Sequence, residues 1–392
     1  MLELFDNYAI KNEPYNFYDF LRENNPVIFN DDGTVALSLY KDVSKILKSP
    51  HALSNVEDET SVPNETVVNL INLRKEYFFG LKTFFDIDGE DHLNMRNYVS
   101  DYFSKTNLLK YSEYIEKITV DTLSSFSEKD VIDIYSKVFH KIPLEVISHI
   151  IGVPQHLSES ISDSVSKASK IFEPNITKDM AKEIGVSAQR IGEFLLEAIN
   201  YKKNNLSNDI LSDLIVQEKP VSDIMPLIIT LYIAGHITTS YIMSSALSSL
   251  LKDAEAKDGY LKDPFSSSSL EELIRYDPPV HIIQRVAGQD FEISNGAIIS
   301  AGTLVYLFLA SANRDPAVFK DPDKLLLNRD DANKNLSFGA GVHFCLGSHL
   351  AKMEMSIILS NLFNLFPNIQ EIKLEILEDT GIKQVKEFKV RL

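Results

Sequence analysis

The stretch Phe338-Gly339-Ala340-Gly341-Val342-His343-Phe344-Cys345-Leu346-Gly347 decides how the rest of this 392-residue chain is read. Glycines at 339, 341 and 347 let a backbone turn tightly and approach a flat ligand closely. An apolar run starts just after Cys345, so the sulfur is expected at a helix N-terminus. There the positive dipole end and free N–H groups favour thiolate over thiol. Phe338 offers an aromatic wall and His343 a nearby cation, and a thiolate in that setting suits iron. A phosphate-binding loop would need a third glycine at 344, where Phe344 stands, and a strand before it.

Cys345 is the sole cysteine, which excludes a disulfide framework and a four-thiolate zinc or iron–sulfur site. It also points to a reducing, cytoplasmic setting. A lone cysteine is more often an inert buried residue than a ligand, so the case rests on its surroundings. With 39 Lys and Arg against 56 Asp and Glu, the net charge is −17, which argues against nucleic acid or an anionic membrane as partner. The N-terminus lacks the basic and apolar regions of a signal peptide. From Ile224 to Leu251 there is no Asp, Glu, Lys or Arg, which is long enough to cross a bilayer. Pro226, Gly235, His236 and many Ser and Thr interrupt it, and no second span accompanies it. A helix buried on all sides gives the same pattern and is the reading adopted, with a membrane span as the alternative.

Spacing predicts a short helix in the first 50 residues, then strands over 26–30 and 34–39 around the turn Asp31-Asp32-Gly33, then a helix over 40–48. From about 92 to 252 helical spacing dominates, with breaks at Pro143, Gly152-Val153-Pro154, Pro174-Asn175 and Lys219-Pro220. Residues 253–267 read as a polar connector, and Ser268-x-x-Glu271 as a capping box. Ser294-Asn295-Gly296 signals a hairpin, residues 310–337 are turn-rich, and a short helix is expected after Cys345. The last 23 residues read as a terminal hairpin. The sum is mainly α with minor antiparallel β-sheets (α+β), without the βαβ alternation of a doubly wound fold.

The segment around Cys345 resembles the haem-binding signature F-x-x-G-x-H-x-C-x-G of cytochromes P450 at every specified position. Other landmarks follow in family order, so the resemblance spans essentially the whole chain, read as one domain over 1–392. Its N-terminal part, to about residue 60, would be β-rich, and a hairpin would close it over about 368–392. The resemblance implies haem b between a long central helix and the Cys345 loop, with Cys345 as axial ligand and Phe338, Gly339 and Gly347 against the ring. Glu272-Leu-Ile-Arg275 matches the family's E-x-x-R, a buried structural pair joined by an arginine matched by Arg329. The cations that hold the haem propionates are matched by His92, Arg96, Arg285 and His343.

Ala234-Gly235-His236-Ile237-Thr238-Thr239 resembles the family's A-G-x-[D/E]-T-T on the central helix, where dioxygen sits. A bond from the Thr238 hydroxyl to the Ala234 carbonyl would bend that helix. Gly235 would leave room for dioxygen, and Thr238 would help deliver the protons for O–O cleavage. Ile237 departs from the pattern, which usually has an acid. Three readings follow: protons travel through waters or another residue, with His236 and His281 as candidates; turnover is slow and poorly coupled; or peroxide is the oxidant. Retention of Thr238 favours the first.

The resemblance further implies a small, apolar organic substrate, dioxygen, and electrons from a separate ferredoxin or flavodoxin, because the chain carries no flavin or iron–sulfur module. Lys105, Lys110, Lys334 and Lys352 could form a basic patch for that partner. Pocket residues implied by the family's recognition regions include Thr230, Ile233, Val280, His281, Ile282 and Ile382, within segments 64–88, 160–180, 230–234, 280–283 and 382–385. Tyr77-Phe78-Phe79 and Phe84-Phe85 are either an aromatic entrance or plain core. A haem-based gas or redox sensor without turnover is the non-enzymatic alternative.

Overall fold

The computed structural model describes residues 14–54, 84, 87–173, 176–378 and 381–392. Its N-terminal part has the expected order of helix, hairpin and helix, with more helix than strand over residues 14–54 where a β-rich part was expected: α1 (Pro14–Asn24), the hairpin of β1 (Val27–Phe29) and β2 (Val35–Leu37), α2 (Tyr40–Lys48) and β3 (Ala52–Leu53). The hairpin turn is fixed by Asp32, whose Oδ1 accepts both the N–H and the hydroxyl of Thr34, and by Gly33 at φ 79°.

Helices then dominate: α3 (Gly89–Asn97), α4 (Ser112–Leu123), α5 (Lys141–Ile151), α6 (Gln155–Ala168), α7 (Lys178–Lys203), α8 (Ile210–Val216) and α9 (Val221–Lys252). Pro143 does not break a helix. It is the third residue of α5, where its missing N–H has no intrahelical acceptor in any case. Just before it, Tyr135–Phe139 form a π-helical turn closed by His140 N–H to the Tyr135 carbonyl at 2.8 Å. Gly152, at φ 93°, ends α5, and Pro220 caps α9. The expected break at Pro174-Asn175 lies outside the described residues.

Two local expectations are corrected. Residues 254–262, read as connector, form α10 (Ala254–Lys262), started by Asp253, whose Oδ1 accepts the Ala256 N–H at 3.0 Å. Next, α11 (Ser267–Tyr276) begins one residue before Ser268, so the capping box does not form. The Ser268 hydroxyl instead donates to the carbonyls of Leu327 and Arg329.

Four strands follow: β5 (Ile282–Ala287), β6 (Phe291–Glu292), β7 (Ile298–Ile299) and β8 (Leu304–Phe308). The hairpin at 294–296 joins β6 to β7, with Gly296 at φ 83°. After the Cys345 loop comes α12 (Ser348–Leu365), which at 18 residues is longer than expected. The terminal hairpin is β9 (Gln370–Ile376) and β10 (Val385–Arg391). Its outer edge pairs with β4 (Val131–Asp133), a strand the sequence reading did not identify. The larger sheet has the order β1-β2-β8-β5-β3, parallel only between β2 and β8.

The central helix α9 packs against α5, α6, α7, α11 and α12. That enclosure explains its lack of charge, since its apolar residues on every side meet protein. The helix that carries Ala234–Thr238, α9, touches α12, the helix that follows the Cys345 loop.

Candidate active site

The Cys345 loop is built by glycines in the left-handed region. Gly339 and Gly341 have φ 70° and 73°, and a Cβ at Gly341 would stand 2.6 Å from the Leu47 carbonyl oxygen. The loop therefore lies directly on the end of α2. Cys345 N–H closes it onto the Phe338 carbonyl at 2.9 Å. Gly347 caps α12, and its N–H and that of Ser348 point at the sulfur. Burial pushes the Cys345 thiol up, while those N–H groups, Arg96 and Lys352 pull the other way. A metal cation in place of the proton would turn that balance to thiolate.

Beside the loop stands a cationic cradle. The His92 ring lies 4.1 Å from that of His343 and stacks on Phe84 at 4.8 Å. Burial, His343, Arg96 and Arg285 together push His92 down to about 4. Its Nε2 is buried without a hydrogen-bond partner among the described residues. Arg96 donates to the Phe344 carbonyl at 2.8 Å and Arg285 to that of Gln284 at 2.7 Å. Clustered cations and an orphaned ring nitrogen fit a ligand carrying two carboxylates, as haem does. The sequence reading missed Asp88. Its Oδ1 lies 2.8 Å from His343 Nε2 and its Oδ2 accepts the Ser54 N–H at 2.8 Å, so it orients His343.

On α9, the Thr238 hydroxyl donates to the Ala234 carbonyl at 2.6 Å, as expected. Thr230 and Ser240 make the same back-bond to Pro226 and His236. Gly235, like Ala234 and Thr238, is half-buried. A Cβ there would stand 3.1 Å from Ile147 Cγ1, so the glycine admits the close approach of α5.

Neither histidine candidate for proton delivery faces Thr238. His236 Nε2 lies 3.0 Å from the His140 carbonyl and the two rings are 4.2 Å apart, so the side chain points at the start of α5. His281 Nδ1 lies 3.0 Å from the Tyr18 hydroxyl and its Nε2 3.8 Å from Asp277. Ile282 packs with Phe17, Tyr18 and Phe308. His281 and Ile282 therefore belong to the N-terminal core, and their assignment to the pocket is corrected. Strand alternation puts Ile283 on the other face of β5, with Arg285.

Val280 bridges Ile382, and Thr230 Oγ1 accepts the Phe84 N–H at 3.2 Å. Tyr77-Phe78-Phe79, Phe85 and most of segment 64–88 lie outside the described residues, as do residues 174–175 of segment 160–180.

Glu272 and Arg275 are fully buried. Arg275 binds the carboxylate through Nε at 2.6 Å and Nη2 at 2.9 Å, Arg329 Nε joins at 3.1 Å, and Leu326 N–H at 2.9 Å. Arg275 also reaches the carbonyls of Asn313, Pro322 and Lys324, which ties α11 to the loop before the cysteine. Of the lysines expected to form a patch, Lys105, Lys110 and Lys334 are exposed, but Lys352 is engaged by Glu271.

A fold and loop of this kind define the class of haem-thiolate proteins. Residues 264–386 match the family model described as Cytochrome P450. Cytochrome P450 CYP107DY1 of Priestia megaterium is 30% identical over 371 residues, 90% of this chain and 89% of that protein. The biotin biosynthesis cytochrome P450 of Bacillus subtilis is 28% identical over 91% of this chain and 90% of its own. The crystal structure of P450BioI in complex with hexadec-9Z-enoic acid ligated acyl carrier protein has a TM-score of 0.87 and 26% identity, covering 98% of this chain and 99% of that one. The chain belongs to the cytochrome P450 family. It is an oxidoreductase whose cofactor is haem b ligated by a cysteine thiolate.

Proposed function

We propose that the protein is a cytoplasmic monooxygenase, acting as one unit over residues 1–392, that uses dioxygen to hydroxylate a small, mainly apolar substrate. Cys345 would supply the thiolate that holds the haem iron. His92, Arg96, Arg285 and His343 would hold the propionates, and Phe338, Gly339 and Gly347 would flank the ring. Bound haem supplies the oxidising chemistry, and the protein supplies ligand, dry cavity and protons. The N–H groups of Gly347 and Ser348 stabilise charge on the Cys345 sulfur. Glu272, Arg275 and Arg329 keep the loop that precedes it in place.

The observation that carries the dioxygen reading is the Thr238–Ala234 back-bond on α9. It holds a hydroxyl beside the Ala234 carbonyl, where it can pass on a proton and take another from water. Ile237 is buried, and neither His236 nor His281 faces this hydroxyl, so water is the remaining proton source. The apolar Ile237 also supports a second reading, in which peroxide replaces dioxygen and less proton transfer is needed.

Thr230, Ile233, Val280, Ile283 and Ile382 would line the cavity, and this aliphatic set suits a hydrocarbon segment. P450BioI, a structural relative, holds a hexadecenoic acid on acyl carrier protein, which makes long-chain acyl groups the first substrates to try. Electrons would come from a ferredoxin or flavodoxin, for which the exposed Lys105, Lys110 and Lys334, together with exposed Val342 and Phe344 in the Cys345 loop, are the candidate docking residues. The test uses a surrogate ferredoxin, its reductase and a fatty-acid panel. Substrate-dependent oxygen uptake with hydroxylated product supports the proposal. Product from added peroxide alone refutes it in favour of the second reading, and no product by either route favours the sensor.

A further inference from the structure

Beyond the end of α6, a buried polar contact joins this helix to the tip of the terminal hairpin, and the chemistry above makes no use of it. Glu173 is 7% exposed. Its carboxylate accepts the Gly381 N–H at 3.2 and 3.3 Å and the Ile382 N–H at 3.3 Å. Three residues along, Gln384 accepts the Ser166 hydroxyl at 2.9 Å and donates to Ser169 at 3.3 Å. On its other side the tip is fastened to the segment leading into β5. Lys383 N–H bonds the Pro279 carbonyl at 2.8 Å, His281 N–H bonds that of Gly381 at 2.9 Å, and Val280 bridges Ile382.

Two adjacent N–H groups converging on one carboxylate make charge-assisted bonds that a neutral side chain reproduces poorly. Glutamine keeps one acceptor oxygen but turns an NH₂ toward a donor. Alanine leaves both buried N–H groups without a partner. The contact therefore fixes Ile382 through its own backbone, and Val280 through the bridge.

We infer that Glu173 is a specificity-determining positioning residue, whose carboxylate clasps Gly381 and Ile382 and thereby sets the wall that Ile382 and Val280 present to the substrate. The inference rests on the reading of Val280 and Ile382 as cavity lining. Movement at the end of α6 would then reach the wall without any change in the haem loop.

The test uses the holoenzyme as wild type, Glu173→Gln and Ile382→Phe, with imidazole and the bulkier 4-phenylimidazole as probes. Amide hydrogen exchange in a peptide covering 381–392 is followed by mass spectrometry. Glu173→Gln should speed that exchange about tenfold, as expected for losing a charge-assisted bond, and leave the 348–365 peptide unchanged. It should also shift the ratio of the two azole affinities severalfold, as Ile382→Phe does. A merely structural weakening would lower both affinities together and leave the ratio alone. If Ile382→Phe shifts the ratio and Glu173→Gln changes neither ratio nor exchange, the clasp is overturned. If Ile382→Phe leaves the ratio unchanged, the cavity assignment is what fails, while the exchange result still decides the clasp. Should Glu173→Gln not retain haem, Gln384→Leu severs the neighbouring ties to Ser166 and Ser169. An unchanged ratio in that variant would equally overturn the inference.

Discussion

Replacing Glu272 by glutamine removes the fully buried carboxylate that Arg275 and Arg329 share, leaving Arg329 only the longer carboxylate contact to Asp331 at 3.6 Å. In the wild type the Glu272 carboxylate accepts four hydrogen bonds, from Arg275 Nε and Nη2, Arg329 Nε and Leu326 N–H. Summing charge-assisted bonds at about 1.5–3 kcal/mol each would overstate the loss, because the glutamine side chain would keep one acceptor and the bonds are coupled. The better guide is the cost of breaking a buried ion pair by changing one partner, about 3–5 kcal/mol. That is a large share of the roughly 5–15 kcal/mol by which a folded protein is stable. With a urea slope of about 3 kcal/mol per molar, the midpoint should fall by about 1 M. The assay is urea unfolding followed in parallel by far-ultraviolet circular dichroism and by the carbon monoxide band of the reduced protein. Both transitions should move together, since Arg275 and Arg329 tie α11 to the loop before Cys345. A change under about 1 kcal/mol would refute the claim that this buried charge network holds that loop.

Burial pushes the Glu354 carboxyl well up, and neither of its oxygens has a hydrogen-bond partner among the described residues. A raised acid contributes stability at low pH that is lost as pH rises toward the folded value, so Glu354→Gln should raise the melting temperature at pH 8 and change it little at pH 4. His281 behaves oppositely. Burial lowers it to about 4 from 6.5, so its stabilising contribution is present above 6.5 and lost as pH falls toward 4. At about 1.36 kcal/mol per pH unit the loss reaches about 3.4 kcal/mol, and His281→Gln should flatten the acid side of the stability profile by that order. Gly341→Ala should cost far more than Gly339→Ala, as judged by urea midpoints. Both residues have positive φ, but a Cβ at 341 meets Leu47 O at 2.6 Å, while the nearest neighbour at 339 is at 3.9 Å.

What the sequence made legible were features carried by adjacent residues. The glycine-rich loop at Cys345, the Ser294-Asn295-Gly296 hairpin, the i, i+3 pair of Glu272 and Arg275, and the hydroxyl four residues after Ala234 all declare themselves within one turn or loop. What it hid were features that depend on chain distant in sequence. β4 has three residues and exists because β10 offers it an edge. The helix over 254–262 buries only Ala256 and Tyr260, too few apolar positions to stand out from a connector. The facing of His281 is set by Tyr18 and Asp277, partners that no local pattern could reveal. Asp88 carries no local signal, because its partner His343 is distant in sequence and reaches it only in the fold.

Ligation of the haem iron by Cys345 underlies every role assigned to the site, and the carbon monoxide difference spectrum of the reduced protein tests it most directly. The wild type should show the red-shifted Soret band of a haem with a thiolate opposite the gas, and Cys345→Ala, prepared with haem, should lack it. A wild-type spectrum without that band, or a variant that retains it, would contradict the assignment.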